Sequence, residues 1–177
     1  MPNFYSIGHS NLSLEAFVAL LEEAKIPLLV DIRSFPRSRS NPVFNIESLP
    51  SDLSRIGIDY RHMRALGGRR TKQSNVEERV NAMWRVRAFH NYADYALGED
   101  FANAFAELVH LGQDRRVAIM CSEAVWWRCH RRIVVDYLLA NHLPVNHIIP
   151  PNQVVPAALT PGASITAAGK VVYPAAA

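Results

Sequence analysis

The sequence predicts an α/β protein: an open, mostly parallel sheet with helices on both faces, Rossmann-like or rhodanese-like. Three observations carry that expectation. Short continuous apolar runs, such as Leu28-Leu29-Val30 and Val117-Ala118-Ile119-Met120, suit strands buried on both faces. Other stretches carry apolar residues at helical spacing, as with Leu14, Phe17, Val18 and Leu21. The two kinds alternate along the chain, which is how parallel strands joined by crossover helices read.

Phe4 to Ile7 reads as the first strand, closed by Gly8-His9-Ser10-Asn11. Ser13 is a suitable N-cap for a helix that ends near Lys25, before Pro27. Leu28 to Ile32 is the second strand. A loop from Arg33 to Asn45 follows, with two prolines and three arginines. A short helix capped by Ser48 tolerates Pro50 in its first turn and stops at Gly57. Ile58 to Met63 is the third strand, and Gly67 to Lys72 a basic loop. Residues 73–88 show no clear period and read as an exposed excursion.

Helices are expected over 92–97 and 99–111, the second with Phe101, Ala104, Phe105 and Leu108 on one face. The fourth strand ends at Cys121, and helical spacing resumes with Ile133, Val134, Tyr137 and Leu138. Val145 to Ile149 is a last parallel strand. Residues 1–150 therefore form a single α/β domain. Residues 151–177, rich in Pro, Ala, Gly and Thr, are expected to be an irregular extension with a short hairpin around Gly169-Lys170.

With 177 residues the chain suffices for one domain with a proper core. No run approaches the roughly 18 apolar residues of a membrane span, and no basic-then-apolar leader opens the sequence. Two cysteines are too few for a disulfide framework. A cytoplasmic protein without a membrane partner is expected. A net charge of +3 excludes a strongly basic nucleic-acid coat. Sixteen of the nineteen cations are arginine, however, the side chain suited to bidentate phosphate or carboxylate contacts.

Ligands of open α/β sheets bind beyond the carboxyl ends of the strands. That rule gathers four distant loops: His9, Ser10 and Asn11; Arg33, Arg37 and Arg39; Arg69 and Arg70; and the stretch from Cys121 through Glu123, Arg128 and His130 to Arg131. Cys121 ends a strand ahead of a helix start, where unpaired amides and partial positive charge favour anions and thiolates. Cys121 is the candidate nucleophile, with Glu123, His130 or His9 handling protons. Ser10, Asn11 and the arginines of these loops are the candidate ligand-binding residues. Arginine interleaved with Phe35, Phe44, Trp126 and Trp127 fits nucleotide or single-strand recognition.

Plainer readings stand beside these. Cys121 could be a buried small hydrophobe, with the aromatics filling core. Cys121, Cys129, His130 and His9 are zinc-ligand types, but the seven residues between the cysteines exceed compact zinc spacing. A Cys121–Cys129 disulfide is feasible across the loop, yet the cytoplasm keeps such pairs reduced unless they are redox-active. Asp31 reads as an anchor for its loop. His62, His90, His110, His142 and His147 read as structural or surface groups. Neither a metal nor a cofactor is expected, and no P-loop or dinucleotide glycine pattern is present.

Several motifs resemble a known family. They are Tyr5-Ser-Ile-Gly-His-Ser-Asn11, Val30-Asp-Ile-Arg-Ser-Phe-Pro-Arg37 with Asn41-Pro42 and Phe44-Asn45, Leu66-Gly-Gly-Arg-Arg70, and Cys121-x-Glu123 leading to Cys129-His-Arg131. Over about residues 4–150 the chain is similar to the bacterial family called domain of unknown function 488. The resemblance implies a shared site made of these loops and sets no activity. In layout the chain also resembles rhodanese-like domains and cysteine phosphatases, which end one strand in Asp-x-Arg and another in Cys. It departs from them in the six residues between Cys121 and Arg128 and in the bulk of Trp126 and Trp127.

The expected function is an Arg-rich, Cys-centred anion pocket acting on a phosphate-bearing ligand, either a small molecule such as a nucleotide or nucleic acid. A Cys-dependent hydrolase or transferase is its enzymatic form. The alternatives are a nucleic-acid-binding module without catalysis, and a sulfur-transfer or redox protein using Cys121.

Overall fold

Strand β1 (Phe4–Gly8) runs between two strands that follow much later in the chain, β4 (Val117–Cys121) and β5 (Val145–Ile149), parallel to both. The computed structural model describes residues 3–176. β2 (Leu28–Asp31) pairs with the other side of β4 and with β3 (Asp59–His62), again in parallel. β6 (Gln153–Pro156) adds antiparallel to β5, giving the order β3-β2-β4-β1-β5-β6. β1, β2 and β4 are buried at every position, as their unbroken apolar runs require. β3 alternates exposed with half-buried residues because it is an edge.

Helix α1 (Leu14–Glu23) begins where Ser13 Oγ accepts from the Ala16 amide at 3.1 Å. Its buried Phe17, Leu20 and Leu21 pack with α2 (Leu49–Ser54) over Tyr5, Ile7, Leu29, Ala118 and Met120. On the opposite face, α3 (Arg87–Tyr95), α4 (Glu99–Leu111) and α5 (Arg131–Ala140) cover Phe4, Val30, Val117, Ile119 and Val145. Helices thus lie on both faces.

The connections set where a ligand can enter. The crossover from β1 through α1 leads to β2 on one side of the β1–β4 pair. The crossover from β4 through α5 leads to β5 on the other side. The strand order therefore reverses direction between β1 and β4, and such reversals open a crevice at the strand carboxyl ends. Gly8 and Cys121 are paired at that point.

Three boundaries differ from the sequence expectation. α3 spans residues 87–95 instead of 92–97, and its inward face carries His90, Asn91 and Asp94. Asn91 donates to the Arg70 carbonyl at 3.1 Å and Asp94 accepts from Asn81 at 2.7 Å, so buried polar groups hid the helical period. The excursion at 73–88 is tied down, with a 3₁₀ turn at Glu78–Asn81 and Trp84 packed edge-on against Tyr173. Residues 151–176 are not irregular throughout: besides β6, β7 (Ser164–Ile165) pairs with β8 (Val171–Val172). The turn of that hairpin holds Gly169 at φ +80°, where the hairpin was expected. Tyr173 is fully buried and donates to Asp136 on α5 at 2.7 Å. Among the described residues, no helix is long and apolar enough to cross a membrane.

Candidate functional site

A cleft of about 570 Å³ opens at the carboxyl ends of β2 and β4 and is walled by the loop that follows β3. Of the residues expected at the site, Arg33, Arg37, Arg69, Cys121, Glu123, Arg128 and His130 line it. His9 and Arg131 lie buried behind its floor, each about 1% exposed. The others are placed elsewhere. Ser10, at φ +47°, and the exposed Asn11 lie off its wall, as does Arg39. Arg70 turns away: its guanidinium stacks 4.0 Å over the Tyr95 ring and donates to the carbonyls of Gly67 and Arg64.

Two of the lining arginines are already paired. Arg33 is bound to Asp31, and its Nη2 also donates to the Phe44 carbonyl at 2.7 Å. Tyr60 donates to the same Asp31 carboxylate, so Asp31 does anchor its loop. Arg37 forms an exposed ion pair with Glu47. Arg69 and Arg128 make no ion pair among the described residues, and Glu123 is the one acid on the wall. Arg69 lies 5.1 Å over the ring of Phe35, which is 55% exposed on the rim.

Burial disfavours the charged form of three histidines around the cleft, His9, His130 and His147. His9 Nδ1 donates to the Ser10 carbonyl at 2.8 Å, leaving the Nε2 lone pair facing Arg33 Nη1 at 3.4 Å. Burial first, and then Arg33, lower its pKa to about 4. His130 Nε2 donates to the Ile32 carbonyl at 2.7 Å, and its Nδ1 lies 3.4 Å from Cys129 Sγ. Burial lowers it, too, to about 4. His147, expected to be structural, is bound to Ser6 Oγ at 2.5 Å and stacked on Trp126.

Cys121 and Cys129 are joined through their sulfurs across the 122–128 loop, the pairing that cytoplasmic reduction had argued against. No group of three His, Cys, Asp or Glu side chains is arranged to hold a metal among the described residues. Arg131 Nη1 reaches Cys121 Sγ at 3.2 Å and the Glu123 carbonyl at 3.3 Å. Burial pulls its pKa down to about 9.

Two glycines of the motifs are required by this packing. A Cβ on Gly8 would overlap the Glu123 carbonyl and approach Arg131 Nη1 to 2.9 Å. A Cβ on Gly68 would lie 2.5 Å from His130 Nδ1. Sequence reasoning missed the wall made by Val86 and Ala88, in the segment read as an excursion, and by Phe89 just beyond it. The apolar pair Val86 and Phe89, three apart at a helix start, was the available signal.

Fold and site define the class: an α/β protein with a cysteine-floored cleft at the carboxyl ends of its parallel strands. The chain belongs to the family described as Domain of unknown function DUF488, whose profile matches residues 13–138. The rhodanese-like and phosphatase-like likeness gains no support from that match. No curated protein and no solved structure matches the chain.

Proposed function

We propose that the cleft binds a phosphate-bearing ligand, a nucleotide or a nucleotide unit of nucleic acid. One observation carries this reading. Arg69 and Arg128, without acid partners among the described residues, flank a cleft whose rim carries Phe35, 55% exposed beneath the Arg69 guanidinium. Arginine for a phosphate and an aromatic face for a base make a nucleotide-binding pair. The volume suits a small organic ligand. Arg33, neutralised by Asp31, contributes shape and hydrogen bonding more than charge. Reduced Cys121 is the nucleophile at the floor and Glu123 the proton donor on the wall, which makes a Cys-dependent hydrolase or transferase the enzymatic form.

The test is a titration followed by tryptophan fluorescence, with Trp127 45% exposed beside Arg128. Probes are a nucleoside monophosphate, the free nucleoside, inorganic phosphate and a short single-stranded oligonucleotide. The phosphate-bearing probes with a base should saturate, and the double variant Arg69→Ala/Arg128→Ala should weaken them by at least about tenfold, since each charged hydrogen bond contributes about 1.5–3 kcal/mol. Absence of saturable binding by every phosphate-bearing probe refutes the reading. Binding that survives Cys121→Ser with no product formed by the wild type selects the non-catalytic module.

A further inference from the structure

Arg131 is a buried cation with no carboxylate in contact; Glu123 acts on it from beyond ion-pair distance. The Arg131 side chain is 1% exposed, its Nε has no acceptor, and no carboxylate pairs with it among the described residues. Its Nη1 is aimed at Cys121 Sγ, 3.2 Å away. A disulfide sulfur bears no charge, so the joined state leaves this guanidinium with no negative charge in contact. A Cys121 thiolate supplies the missing charge. The buried arginine therefore favours the reduced pair.

The two sulfurs are not equivalent. Cys129 Sγ sits 3.4 Å from His130 Nδ1 and 3.4 Å from the first amide of α5. Because His130 Nε2–H is donated to Ile32, Nδ1 carries a lone pair able to accept a thiol proton. The α5 amide also favours negative charge at Cys129, but the full charge of the Arg131 guanidinium lies at Cys121 and outweighs it, so the reduced pair is a thiolate at Cys121 and a protonated thiol at Cys129. An attacking thiolate beside a resolving thiol is the arrangement that turns over small oxidants.

We infer that Cys121 and Cys129 are a reversible thiol–disulfide couple whose oxidant is a small hydroperoxide. Cys121 is 2% exposed and Cys129 6%, and both line the cleft, so a peroxide reaches them while their slight exposure disfavours attack on a bulky disulfide. In the first step the Cys121 thiolate attacks the peroxide. An S–O bond forms, the O–O bond breaks, and the departing alkoxide takes a proton from solvent and leaves as an alcohol. The sulfur loses two electrons to the peroxide and becomes a sulfenic acid. In the second step the Cys129 sulfur attacks it, S–S forms as S–O breaks, and the thiol proton passes by His130 Nδ1 to the leaving hydroxide as water. A dithiol reductant restores both thiols and is itself oxidised to a disulfide. Arg131 acts as a positioning residue through the Cys121 sulfur.

The inference does not rest on the phosphate reading, and its experiment contains no phosphate ligand. Reduced protein, freed of reductant, is treated with hydrogen peroxide near neutral pH. Both titratable thiols should disappear, the mass should fall by two hydrogens, and dithiothreitol should reverse both changes. Cys129→Ser should stop at a sulfenic acid trapped by dimedone, and Cys121→Ser should not react. Arg131→Met should slow the oxidation at least about tenfold, one logarithmic unit of thiolate fraction, while Arg131→Lys retains most of it. Should Arg131→Met fail to fold, iodoacetamide labelling of the wild type decides: Cys121 must react well below the ordinary thiol range near pH ~8.5. Survival of the thiols in excess peroxide, labelling only in the ordinary range, or faster reaction with oxidised glutathione than with peroxide overturns the inference.

Discussion

Asp31 grips Arg33 through two parallel hydrogen bonds, from Nε at 2.9 Å and Nη2 at 2.7 Å, and also accepts the Arg33 amide at 3.1 Å. Asp31 is fully buried and Arg33 only 6% exposed. Removing one partner of such a pair strands the other charge. Asp31→Ala should therefore lower stability by about 3–5 kcal/mol, read as a urea unfolding midpoint. Arg37→Ala, which opens the exposed pair with Glu47, should leave that midpoint unchanged. Equal effects would contradict the distinction between the two arginines.

The close approach at Gly8 makes a second expectation. Gly8→Ala places a methyl group on the Glu123 carbonyl and against Arg131. Overpacking of this kind costs about 1–3 kcal/mol. Thermal unfolding should move down by several degrees, and an unchanged Tm would show that the 122–128 loop yields freely.

Stability should depend on pH through the buried histidines. His9, His130 and His147 are each lowered from 6.5 to about 4, all chiefly by burial. Their neutral forms are favoured in the folded state, so the stability they confer is complete above pH 6.5 and is lost as pH falls through about 4. Asp136, raised by burial, acts in the opposite sense at the acid end. Three histidines against one carboxyl leave a net decline on acidification. Urea midpoints at pH 7 and pH 4.5 should differ, and His147→Gln should flatten the slope. Identical midpoints would remove the histidines from the account.

Tyr173→Phe isolates the role of the C-terminal segment. It deletes the donor to Asp136 Oδ2 while leaving the Thr160 amide on Oδ1 at 2.9 Å. The loss of one bond to a buried carboxyl should cost about 1–3 kcal/mol, measured by urea unfolding. No change would mean that solvent replaces the phenol.

The strands β1, β2, β4 and β5 were legible because runs such as Val117–Met120 have one physical meaning, burial on both faces. The gathering of Arg33, Arg69, Cys121 and Arg128 at one edge followed from strand alternation alone. What was not legible depended on partners distant in sequence. Nothing near Arg70 foretells its stacking on Tyr95, and nothing in His90, Asn91 and Asp94 marks an inward helical face, because buried polar residues read as exposed ones. The commitment of Arg33 to Asp31 was half visible, since the acid is two residues away. The direction of the Arg131 side chain, back toward the Cys121 sulfur, needed coordinates.

The place of β1 in the sheet bears on how the molecule assembles during synthesis. Among the described residues its strand partners are β4 and β5, from Val117 to Cys121 and from Val145 to Ile148. β2 and β3 are neighbours linked through α2, so that unit closes over far less chain than β1 does with β4. A nascent chain emerging from the ribosome thus carries Phe4–Gly8 as an unpaired apolar segment until β4 is made. That interval is when the polypeptide is most open to aggregation and to chaperone capture.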